Sequence, residues 1–93
     1  MKHITFFHLY QCPYCRKAEQ AFAELKQENA AYAGVVVDAY EETEHPDIVS
    51  KYDFYYAPTL YVGEKKIYEA HPGDDYETIK ANVKKALDAA LEA

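Results

Sequence analysis

The chain has 93 residues, with 16 acidic and 10 basic side chains and a formal net charge of −6. That size predicts one domain over residues 1–93, and the acidic balance excludes the basic patch that a nucleic-acid or anionic-membrane surface needs. Nearly half the residues are apolar or aromatic, enough for one packed core, yet no apolar stretch approaches the roughly 18–20 residues of a membrane span.

Met1-Lys2-His3 runs straight into strand-like sequence, without the charged, apolar and cleavage regions of a signal peptide. The cytoplasm is therefore the expected compartment, and a monomer the expected state. His3 to Leu9 reads as a strand, apolar or β-favouring throughout, as suits a central strand buried on both faces. Pro13 to Glu28 reads as a helix, with Ala18, Phe22 and Leu25 recurring at helical spacing. Val35 to Asp38 reads as a short buried strand. Pro46 opens a helix running to about Tyr52, with His45 or Thr43 as its cap.

Thr59 to Val62 and Lys66 to Glu69 read as two strands of a hairpin joined by Gly63-Glu64-Lys65. The last helix is the clearest. Asp74 stands three residues before Glu77, a capping-box spacing, and Ile79, Val83, Leu87, Ala90 and Leu91 form one apolar stripe. The predicted order is β-α-β-α-β-β-α. A helical crossover makes the first two strands parallel and right-handed, and the last two form an antiparallel hairpin. The result is an α/β fold: one mixed four-stranded sheet with helices on both faces.

Only two cysteines occur, at positions 12 and 15, where the first strand ends and the first helix begins. Proline favours the first helical position, so Pro13 places Cys12 at the N-cap. Free backbone N–H groups of the first turn then point toward its sulfur, and the positive end of the helix favours a thiolate. Cys15 lies one turn on, within reach of a mixed disulfide formed on Cys12. Arg16 and Lys17 add positive charge. A zinc site would need two further ligands, and His3, His8, His45 and His71 show no ligand spacing. A structural disulfide across so short a loop would remove little chain entropy. No metal site and no bound cofactor are expected.

This pattern resembles the thioredoxin/glutaredoxin superfamily over nearly the whole chain. Cys12-Pro13-Tyr14-Cys15 is similar to the active-site tetrapeptide of glutaredoxins. His45 to Phe54 and Ala57-Pro58-Thr59 resemble the thioredoxin stretch that leads to its cis-proline, and Gly73 resembles the glycine ahead of the last thioredoxin helix. The resemblance implies the thioredoxin fold. It also implies a thiol–disulfide oxidoreductase in which Cys12 attacks and Cys15 resolves. Pro58 would be cis beside the cysteines. Pro13, Tyr14, Ala57, Thr59, Gly73 and Asp74 would join Pro58 in binding substrate. An external thiol donor, either glutathione or a thioredoxin reductase, would restore the dithiol.

The chain departs from the glutaredoxin pattern at Leu9, where glutaredoxins carry a lysine, and at Tyr56-Ala57, where they carry Thr-Val. Its nearest analogue of their Gly-Gly…Asp stretch for the glutathione γ-glutamyl group is Gly73-Asp74-Asp75. It departs from thioredoxin in having Gln11 where thioredoxin has tryptophan, and no acid in the first strand. The expected function is reduction of protein or mixed disulfides by a dithiol mechanism. The alternatives are a glutathione-dependent glutaredoxin and a non-catalytic binding module that presents the Pro58 groove. His8, four residues before Cys12, is a proton-shuttle candidate, although a satisfied core histidine is the favoured reading. Tyr14 is expected to face out of the first turn. Tyr10, Tyr55 and Tyr56 read equally as an aromatic rim or as packing.

Overall fold

The computed structural model describes residues 1–93. Its strands are β1 (Ile4–His8), β2 (Val37–Glu41), β3 (Thr59–Val62) and β4 (Lys65–Glu69). Its helices are α1 (Pro13–Glu28), α2 (Ala30–Ala33), α3 (Pro46–Val49) and α4 (Tyr76–Glu92). The sheet order is β2-β1-β3-β4, with β1 parallel to β2 and antiparallel to β3, and β3 antiparallel to β4. This is the mixed sheet of the thioredoxin fold.

The register explains the sequence of β1. Ile4 opposes Val62 and Phe6 opposes Leu60, and these four point to one face. They are buried there with Ala18, Phe22 and Leu25 of α1 and Ile79, Val83 and Leu87 of α4. Phe7 points to the other face, which Tyr52 and Phe54 cover at ring-centroid distances of 5.0 and 4.6 Å. With both faces covered, a central strand gains nothing from polar alternation, so β1 is apolar nearly throughout.

Four local details differ from the expectation. A short helix, α2, intervenes between α1 and β2. Asn29 ends α1 and caps α2, its side chain accepting the Ala31 N–H at 3.0 Å. The added turn uses the chain up to Gly34, so β2 begins at Val37 rather than Val35, and Val36 is exposed. The helix α3 stops at Val49, and Tyr52 packs instead on Phe7. His45 precedes Pro46 there without a side-chain capping bond. The hairpin is one residue tighter than expected, because Val62 pairs with Lys65, and Gly63 takes a φ of 60°, which favours glycine.

The cap of α4 is Asp75, not Asp74. Asp75 accepts the Thr78 N–H at 2.8 Å. The Asp74 carboxylate is held elsewhere, by the Tyr68 hydroxyl at 2.6 Å and the His71 N–H at 3.0 Å. These bonds hold its pKa below the ordinary aspartate value, the tyrosine hydroxyl contributing most. No helix is long and apolar enough to cross a membrane.

Candidate active site

The C-terminal end of β1 delivers the chain through Leu9, Tyr10 and Gln11 to Cys12, the N-cap of α1. Its backbone is extended, with φ −132° and ψ 105°, and Pro13 follows at the first helical position. The Cys12 sulfur takes the place that a serine or aspartate oxygen holds at most caps. It accepts the Cys15 N–H at 3.1 Å. The sulfur thus has a helix N–H and the positive end of the helix directly against it.

Both cysteines are unbridged, so the structure is that of the dithiol form. Cys12 is partly accessible and Cys15 is fully buried. Burial pushes the Cys15 thiol well above its ordinary range, and its hydrogen bond with Cys12 adds to the effect. The two sulfurs are thus chemically unequal, one accessible at a helix end and the other protonated in the core.

Pro58 lies beside this pair. The Ala57–Pro58 peptide bond is cis, as the resemblance implied. The Cys12 thiol points to the Ala57 carbonyl at 3.8 Å. Pro58 is buried, and its carbonyl accepts the Ala70 N–H at 3.0 Å. Thr59 is also buried. Its hydroxyl donates to the Tyr56 carbonyl at 2.5 Å, so it shapes the loop before Pro58 and does not project into the open groove.

Tyr14 does not face outward. It is half-buried against the core, and its hydroxyl accepts the Gly73 N–H at 2.8 Å. Gly73 has a φ of 94°, a conformation that few other residues adopt. This bond ties the first turn of α1 to the β4–α4 turn, so Cys12, Pro13, Tyr14 and Gly73 share one end of the sheet. Asp74 stands beside them with its carboxylate turned into the turn itself. Lys17 lies over the Tyr14 ring at 5.6 Å. Arg16 is committed to Glu19 at 3.0 Å and to the Leu9 carbonyl.

His8 is not a satisfied core histidine. Its Nδ1 is buried without a hydrogen-bond partner, and its ring sits 5.2 Å from Phe6 and 6.1 Å from Tyr10. The packing reading also fails for Tyr10, Tyr55 and Tyr56, which are 57%, 88% and 53% exposed. They form the open rim.

Two residues at the rim escaped the sequence reading, Glu41 and Glu69. Glu41 is buried and accepts the Tyr10 N–H at 3.0 Å and the Thr43 N–H at 2.7 Å. Its pKa is lowered, chiefly by the Thr43 hydroxyl. Glu69 accepts the N–H groups of Tyr55 and Tyr56 at 2.5 and 2.8 Å, and Lys66 at 2.8 Å. Burial alone would raise its pKa, but these partners together hold it below the ordinary glutamate value. The only local signal is position, since Glu69 closes the strand-like run from Lys66 and Glu41 comes three residues after the run from Val35 to Asp38. In sequence both pass for surface acids.

The family model described as Glutaredoxin matches residues 4–67 of the chain. That span includes Cys12, Cys15, Ala57 and Pro58 and ends inside β4, before Gly73, Asp74 and α4. No curated protein matches the sequence.

Proposed function

The chain belongs to the glutaredoxin family, and from that premise we propose that it reduces protein or mixed disulfides by a dithiol mechanism. The observation that supports this most is the 3.1 Å hydrogen bond from the Cys15 N–H to the Cys12 sulfur. It sets a backbone N–H donor on the accessible sulfur, where thiol–disulfide exchange develops negative charge.

In this reading the Cys12 thiolate attacks one sulfur of a substrate disulfide. A Cys12–substrate disulfide forms, and the other substrate sulfur leaves as a thiolate that takes up a proton. Cys15 then loses its proton and attacks the Cys12 sulfur. A Cys12–Cys15 disulfide forms and the second substrate thiol is released. The substrate gains two electrons from the dithiol and two protons, one from Cys15 and one from solvent in place of the proton that Cys12 gave up on forming its thiolate. Burial of Cys15 keeps it protonated and silent until a substrate occupies Cys12. Ala57, Pro58 and the rim next to them bind the substrate chain. No bound cofactor takes part. An external thiol, from glutathione or a reductase protein, restores the dithiol. We assign this activity to a monomer in the cytoplasm, where thiols are kept reduced.

Family membership and the Pro13-Tyr14 pair between the cysteines favour a second reading, a glutathione-dependent enzyme. Glutathione is anionic and its carboxylates need cationic or N–H partners. Leu9 supplies none, and the Gly73 N–H is already taken by Tyr14. Weak glutathione dependence is therefore the proposed behaviour.

The test is a paired assay. A glutathione mixed disulfide and insulin are each offered with glutathione or with a thioredoxin reductase as donor. Insulin reduction with poor saturation by glutathione supports the dithiol reading. Efficient turnover that saturates at low glutathione replaces it with the second. A binding module in which the cysteines are incidental would turn over neither substrate.

A further inference from the structure

We propose that the rim around Cys12 is a docking surface for a cationic polypeptide segment, so that the preferred substrates are disulfides flanked by lysine or arginine. The proposal rests on the disulfide-reductase reading above and names the substrate class for that site.

The rim is built, not incidental. Of the six large apolar or aromatic side chains that stand exposed on this protein, three are Tyr10, Tyr55 and Tyr56. Tyr10 stands two residues before Cys12, and Tyr56 precedes Ala57, whose carbonyl meets the Cys12 thiol. Each loop that carries them is pinned from a sheet edge. The strands β2 and β4 are the two edges, and each ends in a glutamate. Glu41, the last residue of β2, holds the Tyr10 N–H, and Glu69, the last residue of β4, holds the N–H groups of Tyr55 and Tyr56. The Thr59 hydroxyl fixes the Tyr56 carbonyl from below. Exposed aromatic rings on a backbone this well held are preorganised, so a partner need not order the loop when it binds. Tyrosine is also an enriched anchor at protein interfaces.

Charge selects the partner. The segments Leu9 to Cys12, Glu42 to Glu44 and Phe54 to Ala57 carry two carboxylates, Glu42 and Glu44, and no lysine or arginine, and the buried Glu41 lies behind them. The Glu44 carboxylate accepts the Tyr10 hydroxyl at 2.7 Å, which sets a negative charge at the edge of that ring. The nearby cations are already occupied. Arg16 pairs with Glu19, Lys66 pairs with Glu69 and Lys17 covers Tyr14. Lys51 faces a separate hollow that it shares with Asp53 and Glu64. A lysine or arginine side chain finds ring faces for cation–π contact and carboxylates beside them. An acidic segment meets repulsion from both.

The test is a single-turnover reaction that needs no electron donor. The reduced protein is mixed with excess of a short peptide containing one intramolecular disulfide, flanked by lysine, serine or glutamate. Oxidation of the Cys12–Cys15 pair is followed by acid quench and mass. The lysine peptide should react about tenfold faster than the glutamate peptide at low salt, and the gap should narrow as salt screens the charges. Net protein charge alone would also favour the lysine peptide, so the rings are tested separately. The double variant Tyr55→Ala/Tyr56→Ala keeps every charge. It should slow the lysine peptide about fivefold and the glutamate peptide much less, since two exposed cation–π contacts are lost. The variant Tyr55→Phe/Tyr56→Phe keeps the ring faces and should restore the rate. Equal rates for all three peptides, or an Ala/Ala variant with unchanged selectivity, would overturn the docking surface while leaving the reductase reading intact. If no peptide oxidises the pair, the reductase reading fails and the docking proposal fails with it.

Discussion

Cys15 donates its backbone N–H to the Cys12 sulfur at 3.1 Å while its own sulfur is completely buried. One residue thus donates to the accessible sulfur and keeps its own out of reach, and in the proposed mechanism these two atoms attack and resolve. Cys12→Ser should abolish disulfide reduction. Cys15→Ser should still attack and should accumulate the mixed disulfide, visible as a mass adduct. In the wild type, iodoacetamide should label Cys12 about tenfold or more faster than Cys15 at pH 7, because the thiolate is the reactive form. Adducts on Cys15 in the Cys12→Ser protein, with none in Cys15→Ser, would reverse the roles.

Burial of the Cys15 thiol also makes stability depend on pH. Burial raises its folded pKa above the unfolded value, as does the bond to Cys12. The folded state therefore holds this proton more tightly. That contribution is fully present below the unfolded thiol value of about 8.5 and is lost as pH rises toward the folded one. Urea midpoints of the wild type and Cys15→Ala, compared at neutral and alkaline pH, should differ less at alkaline pH. A constant difference would argue that Cys15 ionises alike in both states.

Glu69 fixes the loop before Pro58 through two backbone N–H groups and Lys66. Glu69→Ala should cost about 1.5–3 kcal/mol at neutral pH, the range for hydrogen bonds to a charged group. Its folded pKa is lowered, so this stabilisation is present above the unfolded glutamate value of about 4.3 and falls away as pH drops through the folded value. Denaturation curves of the two proteins should converge in acid. An alanine variant as stable as the wild type at pH 7 would show that the loop holds itself.

Leu9 occupies the position where glutaredoxins carry a lysine. Leu9→Lys should improve glutathione-coupled turnover, with a KM for glutathione about two- to fivefold lower, as one exposed ion pair allows. Insulin reduction should change little. No response in KM would mean that the Gly73 N–H, held by Tyr14, is the larger obstacle.

Phe7 fills the face of the sheet opposite α1 and α4, stacked on Phe54 and touching Tyr52 and Tyr61. Phe7→Ala should destabilise the protein by about 3–5 kcal/mol in urea melts. Because Phe54 leads directly into the rim, the variant should lose activity before it unfolds. Full activity with the expected loss of stability would uncouple that face from the site.

Much of this was legible in the chain. The apolar run from Ile4 to Phe7, the stripe from Ile79 to Leu91, of which only Leu91 stands exposed near the end of the helix, and the Cys12–Cys15 spacing each rest on contacts within one element or on strong periodicity. Local sequence is enough for those, and with the family resemblance it located the thiol pair and the cis Ala57–Pro58 bond. The uncertain places were those where two distant groups compete for one residue. Asp74 and Asp75 are equivalent as helix caps until Tyr68 and His71 claim Asp74, which leaves Asp75 to start α4. Tyr14 turns inward because Gly73, 59 residues away in sequence, offers it an N–H. Glu41 and Glu69 look like solvated acids until the sheet order sets them at the ends of opposite edge strands, each facing a loop with unpaired N–H groups. Sequence by itself determined which two thiols stand together at the end of the first strand and the start of the first helix. Only the tertiary structure decided which side chains hold those atoms in place, because a hydrogen bond between elements depends on what the fold brings within about 3 Å and not on the spacing along the chain.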